Sequence, residues 1–241
     1  MAGVTRVGVQ EFTAHEINLI GRFVRSSIGR KVVMAITGCG LFAFVFVHMM
    51  GNLQIFLGRD AINHYGHVLK SNPEFIWPAR VGLLACVIVH IITSISLALE
   101  NRAARPEPYA MRKLVGASLA SRTMLWTGGL FVGYIVFHLL HFTVGTVQPK
   151  YMEWHDAVGR HDVYRMMIDS FSNPWTSLFY ILGTGLICFH LSHGASAMFQ
   201  SLGWKNQAYT DRISNLAKLV ALLIFLGYAA VPLAVFFGVV R

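Results

Sequence analysis

The chain has 241 residues, of which 55% are hydrophobic and 13% charged, and a mean hydropathy of +0.54. A composition this apolar and this poor in charge excludes a soluble globular domain of the same length. The net charge of +9 raises nucleic acid as a partner, but the placement of the basic residues argues against it.

Residues 1–30 form an N-terminal arm. Arg6, Glu11, Glu16, Arg22 and Arg25 interrupt it, and the apolar run that follows is too long for the core of a signal peptide. Phe12, Leu19, Ile20 and Phe23 leave one side of the arm apolar, which suits a short interfacial helix or a docking arm as well as it suits a frayed terminus. Residues 31–241 then read as one all-α membrane domain, because the polar segments within it are too short to fold separately. A bilayer core of about 30 Å needs about 20 residues of helix. Five stretches meet that length, at about 31–57, 77–99, 121–146, 174–200 and 214–240.

The first two spans resemble the third and fourth. Each pair runs out, turns through a polar loop and returns after Ser-Asn-Pro, at Ser71-Asn72-Pro73 and again at Ser172-Asn173-Pro174. Proline suits a helix start and tryptophan the headgroup level, where Trp77 and Trp175 follow. Pro73 precedes His90 by 17 positions and Pro174 precedes His190 by 16, which points to two versions of one hairpin. In the outer loops, Asp60 and Asp162 are placed to cap short surface helices. The fifth span carries neither histidine nor internal charge between Val220 and Val240 and reads as a packing helix. Thirteen of the 20 Lys and Arg residues fall on the side of the N-terminus, which the positive-inside rule makes cytoplasmic. The basic face then meets lipid phosphate or a docked partner. Cys39, Cys86 and Cys188 lie in apolar stretches without CxxC spacing and read as small buried hydrophobes.

Histidine is rare and costly inside a membrane, and four of the spans carry one. His48 lies 17 positions after Lys31 and His138 17 after Ser121, each roughly 26 Å along its helix from the inner boundary. His90 and His190 each lie ten positions before the inner end of theirs, at Glu100 and Gln200, or roughly 15 Å. Two levels result, about 11 Å apart, with one histidine from each hairpin at each level. Paired imidazoles at two depths suit two haems, stacked across the membrane and saturated at both axial positions. Gly38, Gly40, Gly51, Gly128, Gly129, Gly133, Gly183 and Gly185 could allow close approach, although membrane helices are glycine-rich in any case. His141 and His193 follow His138 and His190 by three, so either member of each pair could ligate; matched depth favours His138 and His190. A single zinc or copper site would need converging ligands, and a proton relay would recruit carboxylates that the five stretches lack.

The order and spacing of these residues resemble the cytochrome b membrane-anchor subunit of succinate dehydrogenases and fumarate reductases, in its single-subunit, five-helix, two-haem form. The likeness runs from about Ser26 to Trp204. It rests on Val47-His48-Met49-Met50-Gly51-Asn52, the His90 helix closing in Asn101-Arg102, Phe137-His138-Leu139-Leu140-His141, and Phe189-His190 through Gly194 to Gly203. The resemblance implies haem b held by His90 with His190 on the cytoplasmic side and a second haem b held by His48 with His138. It implies a flavoprotein subunit and an iron–sulfur subunit docked at the cytoplasmic face of the inner membrane, with menaquinone as the electron partner. A higher oligomer of the complex is left open. Dicarboxylate chemistry has no place in this chain, which has neither a Gly-rich dinucleotide loop nor a cysteine cluster. Polar candidates for a quinone or the haem propionates are Asn52, Gln54 and His141 at outer depth and Ser27, Arg30 and His193 at inner depth. Two alternatives remain: the cytochrome b anchor of another oxidoreductase such as a hydrogenase or formate dehydrogenase, and a non-redox helical membrane protein with structural histidines.

Overall fold

The first span starts where a side chain stops water from competing for its backbone. Ser26 is extended, and its Oγ accepts from the N–H of Gly29 at 3.0 Å, which caps helix α1. The computed structural model describes residues 19, 21–104 and 119–241. In chain order the elements are α1 (Ser27–Asn52) with a 3-10 turn (Leu53–Leu57), α2 (Arg59–Lys70), α3 (Pro73–Ala103), and α4 (Leu119–His138) with a π turn (Leu139–Thr143). A 3-10 turn (Pro149–Glu153), α5 (Val163–Ser172), α6 (Pro174–Ser201) and α7 (Thr210–Phe236) follow.

Five of these helices, Ser27–Leu57, Pro73–Ala103, Leu119–Thr143, Pro174–Ser201 and Thr210–Phe236, are long and apolar enough to cross a membrane. Each satisfies its backbone internally, as a bilayer core requires. The outward residues match that solvent: Leu84, Ile88 and Ile92 of α3, Trp126 and Leu130 of α4, and Leu219, Leu222 and Leu226 of α7 are all exposed. The ends differ from the sequence-based bounds for local reasons. Capping by Ser26 starts α1 before residue 31, so Ser27–Arg30 belong to the first helix and not to the arm. Pro73 and Pro174 each begin a helix, and Asn173 Oδ1 adds a cap to the second, accepting from Trp175 N at 2.9 Å and Thr176 N at 3.3 Å. Of the arm, Leu19 and Phe23 are exposed; Phe12, Ile20 and the cations Arg6, Arg105, Arg112 and Lys113 lie outside the described residues. Cys188 is buried as expected, whereas Cys39 is exposed on α1.

α6 is the centre of the bundle. It packs against α7, α4 and α1, while α3 packs against α1. Small residues make this possible: Ser177, Gly183, Thr184 and Ser196 are buried on α6, and Ala217, Ala221 and Ala229 on α7. Among the described residues, α3 and α4 pack on each other sparsely at most, and they are the least buried spans, with 11% and 6% of their apolar windows covered.

At the end of the bundle away from Ser27, the two hairpins are tied together by α2 and α5. Asp162 is fully buried and caps α5, accepting from Arg165 N at 3.2 Å. Arg59 of α2 donates to both of its oxygens, and the buried Asn63 donates Nδ2–H to Oδ1 at 3.0 Å. Burial opposes ionisation of Asp162, but these donors outweigh it and hold the carboxyl below its ordinary range. Asn63 Oδ1 in turn accepts from Tyr164 N at 2.9 Å. Asp60 does not cap α2, contrary to the sequence expectation. Gly58, at φ 100°, turns the chain into the helix two residues earlier, which leaves Asp60 exposed and paired with Arg160 at 2.7 Å.

Candidate functional site

All four span histidines point into the bundle half-buried, on four different helices. His48 of α1 and His138 of α4 meet across it, with ring centroids 5.9 Å apart and planes at 78°. Aromatic rings hold both. Phe44 stacks on His48 at 5.2 Å, Tyr228 of α7 lies 6.3 Å from it, and Tyr134 stacks on His138 at 6.1 Å and 14°. Tyr228 is itself anchored, its hydroxyl donating to the Val45 carbonyl at 2.7 Å. Tyr134 lies flat because Gly183 of α6 has no Cβ; one added there would fall 2.2 Å from Tyr134 Cδ2.

His90 of α3 and His190 of α6 are each held by the other helix of their own hairpin. Thr37 Oγ1 of α1 lies 3.2 Å from His90 Nδ1, and Thr127 Oγ1 of α4 lies 3.3 Å from His190 Nδ1. The glycine after each threonine receives the ring: a Cβ on Gly38 would sit 3.3 Å from His90 Cε1, and one on Gly128 3.6 Å from His190 Cε1. Sequence reasoning singled out both glycines but missed both threonines. The available signal was their spacing, since Thr37 precedes His48 and Thr127 precedes His138 by the same eleven positions.

The second member of each histidine pair goes elsewhere. His141 is buried in the π turn, 3% exposed, with its Nδ1 3.0 Å from the Tyr180 hydroxyl and its ring stacked on Phe142 at 4.2 Å. Tyr151 packs beside it, donating to Asp169 Oδ2 at 3.0 Å and accepting from Ser170 at 2.9 Å; burial pushes the Tyr151 phenol up to about 12. His193 is half-buried nearer the inner end of α6. Of the other polar candidates, Asn52 is used locally, donating to the His48 carbonyl at 2.7 Å. Arg30 donates to Ser96 Oγ at 2.7 Å and pairs with Glu100, joining α1 to α3. Ser27 is exposed at the first turn of α1. Gln54 lines an apolar groove of about 500 Å³ with Val47, Met50, Leu53, Leu57 and Tyr65.

The donor set suits haem better than a bare ion. Among the described residues no three His, Cys, Asp or Glu side chains converge, whereas a porphyrin supplies four ligands and asks the protein for two. An imidazole nitrogen sits about 2 Å from a metal it binds, so two rings flanking one metal have centroids about 6 Å apart, close to the separation of His48 and His138. Nδ1 of His138 is buried and makes no hydrogen bond, so its ring is not committed to another partner. No protein-family model, curated protein or solved structure matches the chain.

Proposed function

We propose that the chain is the dihaem cytochrome b anchor of a succinate:quinone oxidoreductase, a respiratory complex II or fumarate reductase, in the inner membrane with its N-terminus cytoplasmic. One observation carries the reading. Four histidines lie within the long apolar helices, two from each hairpin, and His48 meets His138 of the other hairpin ring to ring across the bundle.

His90 with His190 would hold the haem nearer the cytoplasm, and His48 with His138 would hold the other. Two b-type haems, each taking two imidazoles from the protein, would supply one-electron transfer. The protein's own part is positional. Phe44, Tyr134 and Tyr228 fix the outer rings, Thr37 and Thr127 bond the inner ones, and the apolar helix faces exclude water. An iron–sulfur subunit, carrying electrons from a flavoprotein, docks at the cytoplasmic face, and menaquinone is reduced or oxidised within the membrane. The groove that holds Gln54 beside the His48 end of α1 offers an apolar wall with one amide, the chemistry a quinone carbonyl asks for.

Haem extraction from the purified chain tests the reading: it predicts two non-covalent b-type haems per polypeptide. A colourless preparation without Soret absorption ends it. Co-purification with a flavin-containing, succinate-oxidising partner separates this assignment from an anchor for a hydrogenase or formate dehydrogenase, which would bring a partner of different activity.

A further inference from the structure

We propose that Thr37 and Thr127 are positioning residues that fix the tautomer of His90 and His190, so that each ring keeps its proton on Nδ1 and leaves Nε2 unprotonated, the form that would bind iron. The inference rests on the haem reading above.

A threonine hydroxyl has one proton. In α1 Thr37 Oγ1 directs it at its own helix, 2.9 Å from the Val33 carbonyl and 3.1 Å from that of Met34. In α4 Thr127 Oγ1 does the same, 3.1 Å from the carbonyls of both Thr123 and Met124. A carbonyl only accepts, so each hydroxyl proton is committed to the helix behind it. What remains for the imidazole is an oxygen lone pair. At the 3.2 Å contact with His90 and the 3.3 Å contact with His190, the ring Nδ1 is therefore the donor. A neutral imidazole has a single N–H, and placing it on Nδ1 leaves Nε2 free to ligate.

Recurrence is the second argument. The two contacts are made by different helix pairs, α1 with α3 and α4 with α6. Each uses a Thr-Gly pair eleven positions before the outer histidine of its hairpin, with the glycine backbone against Cε1 of the same ring. Two copies of one arrangement, on two separate hairpins, form a built feature of the inner level. The outer level lacks it, since Nδ1 of His138 makes no hydrogen bond. Accepting from Nδ1–H also makes an imidazole a more basic ligand, which favours ferric over ferrous iron. The inner haem is thus held at a lower potential than the same two histidines would give without the threonines.

The test uses the intact complex carrying Thr37→Val or Thr127→Val, with Thr37→Ser and Thr127→Ser as rescues. Valine keeps the shape and removes the acceptor; serine keeps the hydroxyl. The readouts are haem content, the low-spin ferric electron paramagnetic resonance signals, and a redox titration of both haems. Each valine variant should keep its outer haem unchanged and shift the inner signal, with a rise in the inner midpoint potential. A tenfold loss of ferric preference reads as about 59 mV for a one-electron couple. Transfer of the inner haem to an apo-globin acceptor should rise by 10–100-fold, the usual effect of losing such a partner, to an order of magnitude. Both serine variants should stay at wild-type values. A purely space-filling role would leave the valine spectra and potentials untouched, and that result overturns the proposal while leaving the haem assignment standing. Valine-like behaviour in a serine variant overturns it equally, and the two threonines report independently if one valine variant does not assemble. A wild-type chain without haem sinks the underlying assignment instead.

Discussion

Replacing Asp162 with alanine should unfasten the outer ends of the two hairpins. Three interactions are lost together. Removing the N-cap of α5, which accepts from Arg165 N at 3.2 Å, costs about 1 kcal/mol. The buried Asn63 amide loses its 3.0 Å acceptor, at about 1–2 kcal/mol, softened by its second acceptor, Asp156 Oδ2 at 3.3 Å. Arg59, with a side chain 53% exposed, withdraws into water, so its ion pair adds less than about 1 kcal/mol. The loss comes to about 2–3 kcal/mol, measurable by unfolding in mixed detergent micelles. Asp60→Ala is the matched control. Its carboxylate is 90% exposed and makes one surface pair, so its removal should cost under about 0.5 kcal/mol. Acid should erase the difference. The folded Asp162 carboxyl lies below its ordinary value, so its contribution is complete above the unfolded pKa of about 3.9 and drains as pH falls from there through the folded value. If Asp162→Ala unfolds with the wild type, or if the gap between them persists below that range, the account of the outer clasp is wrong.

His48→Ala or His138→Ala should each leave one haem per chain, and His90→Ala or His190→Ala should each remove the other, read by extraction and spectrum; if His193→Ala strips a haem while His190→Ala keeps both, the fourth ligand is misassigned. Gly183→Ala drives a methyl to 2.2 Å from the Tyr134 ring, which stacks on His138. It should destabilise by about 1–3 kcal/mol and shift the outer haem spectrum alone, with Tyr134→Ala in the same chain recovering stability; an unchanged spectrum contradicts the stacking. Tyr180→Phe removes the partner of His141 Nδ1, buried at 3.0 Å, and should cost about 1–3 kcal/mol in the same micelle assay without loss of either haem. A haem lost from Tyr180→Phe would mean that the hydroxyl serves His138 as well.

The spans were readable because a bilayer imposes one period and one minimum length, and Pro73 and Pro174 mark two starts without tertiary help. The meeting of His48 with His138 was readable too, since depth along a helix is arithmetic. Three things were not. Thr37 and Thr127 make the backbone bond that any threonine in an apolar helix makes; only the neighbouring helix shows that the same oxygen lies 3.2 Å or 3.3 Å from an imidazole. Asp60 has the chemistry of a cap, but Gly58 enters α2 two residues sooner, and a backbone angle of 100° leaves no mark beyond the glycine itself. Leu139–Thr143 reads as uninterrupted α-helix, because nothing in its composition signals a wider turn.

That wider turn carries His141 just beyond His138, and both imidazoles lie beside Tyr180, His138 at 6.0 Å and His141 at 5.8 Å. The N–H of Val144 reaches back five residues to the Leu139 carbonyl, at 2.8 Å, so one residue is accommodated there in excess of an α-helical repeat. Excising Leu140 would let the segment rewind as α-helix, taking up the excess residue and turning His141 about the helix axis by up to about 100° while leaving the chain beyond it in register. His141 would swing away from Tyr180, while His138, lying before the irregularity, would keep its place opposite His48. The roles of the two imidazoles can thus be dissected by helical phase alone, with both histidines still in the chain.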